Sequence, residues 1–351
     1  MIGTLLRGHY KIVKQIGSGG FGQTFLAEDI DLPQRSPCVV KLFQPRTKDP
    51  EMLKTAKRLF DLEAEVLYKL GVHPQIPRLL AHFEQDGAFY LVQEYVDGND
   101  LSKELTKGKQ MPEAEVILLL QDILPILQFV HEAKVIHRDL KPANLMRRRE
   151  DGRIMMIDFG SVKEIKELSQ DANAPSSLTV AVGTAGFVPH EQMSGRPRFN
   201  SDIYALGMIA ILALTGVHPK RYPVDDDTGE VAWQKFLGEN PCSPALERLL
   251  SKMVRVNFRH RYQSAEEVLA DLAKFAPAPN FALIPTVQAS APQSSSSKRN
   301  WWLWGGVAAG VIALVCAIAF VGLIQPNSRP EQPTPTPQSN HSIRRAAALG
   351  D

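Results

Sequence analysis

The sequence predicts an α+β fold of two lobes, a small β-rich N-terminal lobe and a larger helical C-terminal lobe, followed by one C-terminal transmembrane helix. Three observations carry this reading. From Tyr10 to about Phe43 apolar and polar residues alternate around glycines and prolines; from Pro112 to about Phe275 apolar positions recur mainly at helical spacing; and residues 301–324 hold no charged side chain.

Taken in order, the first stretch reads as three strands joined by turns, with Lys11–Ile16 and Thr24–Ala27 on either side of a glycine cluster. Lys48 to Leu70 carries helical spacing, and strand-like segments return at Leu79–Phe83 and Ala88–Glu94, which completes a first lobe over about residues 10–94. Glu94-Tyr95-Val96-Asp97-Gly98-Asn99-Asp100 contains turn residues and reads as a hinge, and clefts between lobes commonly hold ligands. The second lobe, about 101–275, has helical periods in 114–133, 201–215, 245–254 and 264–275. Residues 276–300 are rich in Ala, Pro, Gln and Ser and read as a flexible linker. The apolar run 301–324 is long enough to cross about 30 Å of hydrocarbon at about 1.5 Å per residue, with Trp301, Trp302 and Trp304 at one interface. Residues 325–351, with Pro330, Pro333, Pro335 and Pro337, read as a disordered tail.

Composition narrows the function. Forty Lys and Arg against 38 Asp and Glu leave a formal charge of +2, so no bulk field recruits nucleic acid, and no nucleic-acid partner is expected. Cys38, Cys242 and Cys316 stand far apart without C-x-x-C pairing, which argues against a zinc ribbon or a disulfide scaffold. No H-E-x-x-H helix is present. The N-terminus lacks the apolar stretch of a signal peptide, so the first lobes are expected in the cytoplasm and the protein in the cell membrane as a single-pass chain.

The chemistry is concentrated in four places. Gly17-Ser18-Gly19-Gly20-Phe21-Gly22 lies between two predicted strands and does not open a helix, which disfavours a dinucleotide site; a glycine hairpin lets backbone N–H groups approach phosphate, although a plain hairpin has the same spelling. Lys41, at the centre of the apolar strand Val39-Val40-Lys41, needs an anion to justify its place, and Glu63 on the following helix is the best-placed carboxylate. His137-Arg138-Asp139-Leu140-Lys141-Pro142-Ala143-Asn144 is followed by Asp158-Phe159-Gly160. Asp139, Asn144 and Asp158 offer hard oxygen ligands suited to Mg²⁺ and a proton acceptor for a hydroxyl.

These motifs together resemble the eukaryotic-like (Hanks-type) serine/threonine protein kinase family, bacterial single-pass membrane type, over about residues 10–275. The resemblance implies the bilobal kinase fold, ATP and Mg²⁺ as cofactors, and protein substrates carrying Ser or Thr. It implies that Asp139 and Lys141 are catalytic and that Asn144 and Asp158 hold the metal. Nucleotide contacts are assigned to Ile16, Gly17, Ser18, Gly19, Gly20, Phe21, Gly22, Thr24, Lys41, Glu63, Glu94, Val96 and Asp100, the last toward ribose. Asp202 would brace the catalytic loop, and Glu191 and Arg261 would form a buried ion pair. The chain departs from the family pattern at Thr24, at Val39 and at Pro189-His190-Glu191.

Two rival readings differ in outcome: a membrane-anchored pseudokinase scaffold and a small-molecule or lipid kinase. The first usually lacks the lysine or one of the aspartates, and the second lacks a substrate loop like Gly183-Thr184-Ala185-Gly186-Phe187. Arg147-Arg148-Arg149 reads as an exposed hairpin turn or, more sharply, as a contact for acidic substrate or lipid. Gly306 and Gly310 could pack two spans into a homodimer. Autophosphorylation is expected at Ser176, Ser177 or Thr179, where a phosphate would meet Arg138.

Overall fold

Period-two alternation makes the first lobe a sheet. In the computed structural model, which describes residues 1–19, 22–45, 49–159, 186–239 and 242–276, strands β1 (Leu5–Leu6), β2 (Tyr10–Gly19), β3 (Gly22–Asp29), β4 (Ser36–Phe43), β5 (Leu79–Gln85) and β6 (Ala88–Glu94) join in the order β1-β2-β3-β4-β6-β5. Every neighbouring pair is antiparallel. Alternate residues of β3 and β4, among them Phe25, Ala27, Cys38, Val40 and Leu42, pack one face with Tyr10, Ile12, Phe83, Tyr90 and Val92. Lys41 therefore points to the opposite face, across from Leu91.

Helix α1 (Pro50–Leu70) begins where the Asp49 carboxylate accepts the Glu51 N–H and Pro50 fixes the first turn. Its buried stripe of Leu59, Phe60, Glu63, Ala64, Leu67 and Leu70 follows the helical period, which brings Glu63 onto the covered side. The remainder of 277–300, the span 301–324, the tail 325–351 and the segment 160–185 expected to carry the phosphorylation sites lie outside the described residues.

The stretch read as a hinge turn is partly a strand. β7 (Gly98–Asp100) pairs with β8 (Leu145–Arg148), which pairs with β9 (Ile154–Met156), in a second, three-stranded sheet. Glycine is required at 98 because a Cβ there would lie 2.1 Å from the Arg147 carbonyl oxygen. Asp100 then caps α2 (Leu101–Glu104), accepting the Ser102 N–H at 3.1 Å.

Below lie α3 (Glu113–Glu132), α4 (His190–Met193), α5 (Phe199–Thr215), α6 (Pro244–Met253) and α7 (Ala265–Leu272). All but Phe199 and Tyr204 of α5 are buried, as expected of an axis packed on every side. Among the described residues α3 alone is long and apolar enough to cross a membrane, and most of its apolar side chains, though not Leu118, pack in or against the core of this lobe.

Two buried polar assemblies tie distant elements. Gln75, in the turn after α1, donates from Nε2 to Asp122 Oδ1 of α3 (3.0 Å) and to the Ile154 carbonyl of β9 (2.8 Å), and its own carbonyl accepts the Met156 N–H (2.9 Å). Asp122 also accepts from the Ile154 N–H (2.6 Å) and the Arg153 guanidinium. Lower down, Arg261 donates to both oxygens of Glu191 at 2.6 and 3.1 Å, to the Asn200 carbonyl at 3.3 Å and to the Val256 carbonyl at 2.9 Å. Ser201 Oγ adds a bond to Glu191 at 2.7 Å.

A buried ion pair that loses one partner strands a charge, whereas an exposed pair loses little. Arg261→Ala is therefore expected to lower unfolding free energy by about 3–5 kcal/mol, against about 0–1 kcal/mol for Lys57→Ala, whose pair with Glu84 is half exposed. Urea titrations of both variants beside the parent check this; equal midpoints for the two would remove Arg261 from the list of structural anchors.

Candidate active site

The loop that carries Asp139 is shaped by a carboxylate from another helix. Asp202, in the first turn of α5 and 1% exposed, accepts the His137 N–H on Oδ2 at 2.8 Å and the Arg138 N–H on Oδ1 at 2.9 Å. His131 Nε2 lies 3.0 Å from the same Oδ2. Arg138 takes φ 64°, a left-handed conformation that costs a non-glycine residue about 1–3 kcal/mol. The two charge-assisted bonds to Asp202, with the bond from Gln192 Nε2 to the Arg138 carbonyl at 2.6 Å, offset that cost.

His137 joins this loop to the strand leading to Asp158. Burial pushes its imidazole pKa down, Nε2 donates to the Ile157 carbonyl at 3.0 Å, and Nδ1 accepts the Asp139 N–H at 3.3 Å. A neutral ring with the proton on Nε2 satisfies both contacts. The ring also packs against Phe159, centroids 4.9 Å apart.

Three polar side chains converge as a result. Lys141 Nζ donates to Asp139 Oδ2 at 2.8 Å, and Asn144 Nδ2 donates to the Asp139 carbonyl at 2.8 Å and to Oδ2 at 3.2 Å. Pro142–Asn144 forms a single 3-10 turn, which brings Asn144 back toward Asp139. Asn144, its NH₂ group spent on Asp139, lines the cleft. Asp158, at φ 61°, stands across that cleft.

Lys41 is where sequence and structure part. Its ammonium is bonded to Asp158 Oδ1, and Glu63 forms no ion pair with it. Glu63 is nonetheless 4% exposed and close enough to interact electrostatically with Lys41, with Oε2 buried and lacking a hydrogen-bond partner. Burial, countered in part by the Lys41 ammonium and reinforced by the Asp158 carboxylate, pushes the Glu63 pKa up to about 7. Burial alone would lower the Lys41 pKa, but Asp158 and Glu63 together hold it above its ordinary value.

A cleft of about 500 Å³ gathers these groups. Ile16, Gly17, Ser18, Gly22, Thr24, Lys41, Glu63, Asp139, Lys141, Asn144 and Asp158 all line it, together with Phe43, Phe60, Leu91 and Phe159. At Gly22, φ 127°, a Cβ would lie 1.9 Å from the Leu42 carbonyl oxygen, so the start of β3 can lie this close to β4 only with glycine there. Gly19 pairs with Gly22 in the ladder, whereas Gly20 and Phe21 lie outside the described residues.

Glu94, Val96 and Asp100 do not line this cleft. Glu94 is bonded to Arg78 at 3.4 Å, and Asp100 caps α2 and pairs with Lys103 at 3.5 Å, so the Asp100 carboxylate assigned to ribose is already engaged. The arginine run is likewise spoken for: Arg147 pairs with Glu104, Arg148 with Asp151 and Arg149 with Asp97. Gln192 and Gln75 escaped the sequence reading, since each is an isolated polar residue whose partner lies 54 or 47 positions away.

The chain is similar to known proteins. Residues 10–272 match the family described as Protein kinase domain. Serine/threonine-protein kinase B of Synechocystis sp. is 47% identical over 267 residues, covering 75% of this chain and 46% of that protein. Serine/threonine-protein kinase PknA of Nostoc sp. is 37% identical over 292 residues, covering 83% and 51%. The chain thus spans about half the length of the curated relatives it matches. A mutant of the Mycobacterium tuberculosis PknI kinase domain shares the fold, with TM-score 0.56 at 24% identity over 78% of this chain and 98% of that one. Both lobes and the cleft between them fall within the matched residues, and the chain belongs to the protein kinase domain family.

Proposed function

We propose that this chain is a membrane-tethered protein kinase that transfers the γ-phosphoryl group of ATP to serine or threonine hydroxyls of proteins, and that it autophosphorylates. The observation that carries the reading is the convergence of Lys141 and Asn144 on Asp139, facing Lys41 and Asp158 across one cleft. Curated relatives named as serine/threonine-protein kinases support the choice of acceptor.

In this reading Asp139 orients the acceptor hydroxyl and receives its proton. Lys141, held 2.8 Å from Asp139, stands ready for the charge of the transferring phosphoryl group. Lys41 steers the α and β phosphates, and the glycine hairpin around Gly17 and Gly22 offers backbone N–H groups above them. The oxygen donors of Asn144 and Asp158 suit a hard divalent cation, and Mg²⁺ held there would spread the negative charge of the phosphates. His137 and Asp202 touch no reactant; they hold the loop in register.

Tethering is read from the uncharged run 301–324, and the cytoplasmic side follows from the need for ATP. Phosphorylation is assigned to Ser176, Ser177 and Thr179, Thr179 first.

Three outcomes follow. Asp139→Asn should keep ATP binding while lowering transfer of labelled phosphate to protein by about 10²–10⁴, whereas Lys41→Met should weaken both; near-normal transfer by the Asp139 variant would reject the assigned role. Deleting everything after residue 290 should release an active kinase from membranes, read by ultracentrifugation and phosphate incorporation, and an inactive aggregate would show that the apolar segment is part of the folded domain. Mass spectrometry should find phosphate within 176–179, with activity reduced when all three hydroxyls are replaced by alanine; an unmodified segment with full activity in that variant would leave no switch there.

A further inference from the structure

A second hollow lies on the helical lobe, away from the cleft. It measures about 450 Å³ and is lined by Glu247, Arg248, Ser251, Lys252, Arg255 and His260, from α6, the segment just after it and the turn Phe258–His260. Arg248 and Lys252, four apart on α6, share one helix face, and Arg255, two residues past the end of α6, lines the same hollow. Those three cations face a single lining carboxylate, Glu247.

The cations are under-used by the protein itself. Among the described residues Arg248 has no hydrogen-bond or ion-pair partner. The Lys252 ammonium rests 3.9 Å over the Tyr262 ring, within electrostatic range of Asp271 but in no ion pair among the described residues, and Arg255 pairs with Glu230 at 3.5 Å with half its side chain exposed. The adjoining Val256 is 39% exposed. This contrasts with Arg147 and Arg148, which are held by acids at 3.0 and 2.6 Å. Three long cationic side chains open to solvent beside an exposed apolar one form a surface that attracts anionic headgroups and lets a small apolar group enter the interface.

The position of this surface selects the occupant. Tyr262, under Lys252, donates to Asp271 at 2.7 Å, and Asp271 accepts from Lys274 at 2.6 Å. The chain leaves the described fold at Ala276, two residues later, so the cationic face stands beside the exit toward 301–324. In the sequence 24 residues, 277–300, separate this point from the uncharged run 301–324. Screening limits the attraction to about 8 Å at physiological salt, so the face is held only when it meets the headgroups directly.

We infer that the α6 face around Arg248, Lys252 and Arg255 docks the kinase domain onto an anionic phospholipid surface. The inference rests on the membrane tether proposed above, and the test separates the two. The full chain is reconstituted into vesicles of phosphatidylcholine alone or with added phosphatidylserine. Acetylation of Lys252 is followed by mass spectrometry with Lys57 of α1 as the internal reference. Lys252 labelling should slow about tenfold on the phosphatidylserine vesicles, recover in high salt, and recover in Arg248→Glu/Arg255→Glu. The milder Arg248→Gln/Arg255→Gln should give an intermediate rate, and unchanged phosphoryl transfer by both variants in detergent confirms that they fold.

Equal Lys252 labelling on both vesicle types, while the chain floats with both, would overturn the docking surface and leave the tether standing. A chain that floats only with phosphatidylserine vesicles, in a salt-sensitive way that protects Lys252, would support the surface and remove the tether. Protection by soluble polyglutamate and none by phosphatidylserine would overturn the lipid assignment in favour of an acidic protein partner.

Discussion

A single buried carboxylate receives two consecutive backbone N–H groups, those of His137 and Arg138, and the cleft is arranged around that contact. The bend at Arg138 is unfavourable for an L-residue by itself, and without Asp202 the loop would relax toward ordinary dihedrals. Because Asp202 sits in the first turn of a helix buried on every side, the anchor cannot shift without disturbing the helical core. Asp139, one residue beyond the bend, inherits this position, and Lys141 and Asn144 are placed relative to it by bonds only two and five residues long. The geometry of the polar cluster is thus set from below.

The upper half of the cleft is less settled energetically. Lys41 has two carboxylates within electrostatic range and bonds one of them, Asp158, so Glu63 remains buried without a hydrogen-bonded partner on Oε2. A carboxyl in that state is protonated far more readily than a solvated one, which is why its pKa lies near 7. Competition between Glu63 and Asp158 for one ammonium makes the placement of α1 against the sheet sensitive to whatever else bonds Asp158.

Residues whose role depends on near neighbours were legible in the sequence. Asp139, Lys141 and Asn144 lie within six positions, and their spelling implies a loop that turns back on itself. The long strands and helices also follow from periodicity, since β2 to β6 and α1, α3, α5, α6 and α7 each repeat long enough to show a period. Two- and three-residue strands have no period, so β1 and β7 were invisible, and Gly98–Asp100 read as turn because Gly, Asn and Asp favour turns. The partner chosen by Lys41 was unreadable for another reason: helical phase puts Glu63 on the covered side of α1 but says nothing of the distance from α1 to β4. Asp100 was read for its charge, whereas the first free N–H groups of α2 had the nearer claim on it.

The knot of Gln75, Asp122, Arg153 and the β9 backbone fastens the root of α1 to the helical lobe. Mechanically it is a fulcrum. Glu63 sits about 10 Å up the helix from Leu70, at about 1.5 Å per residue, and Gln75 lies just beyond that end. Through α1 the carboxyl beside Lys41 is thus carried on an element whose C-terminal turn is bonded into the helical lobe.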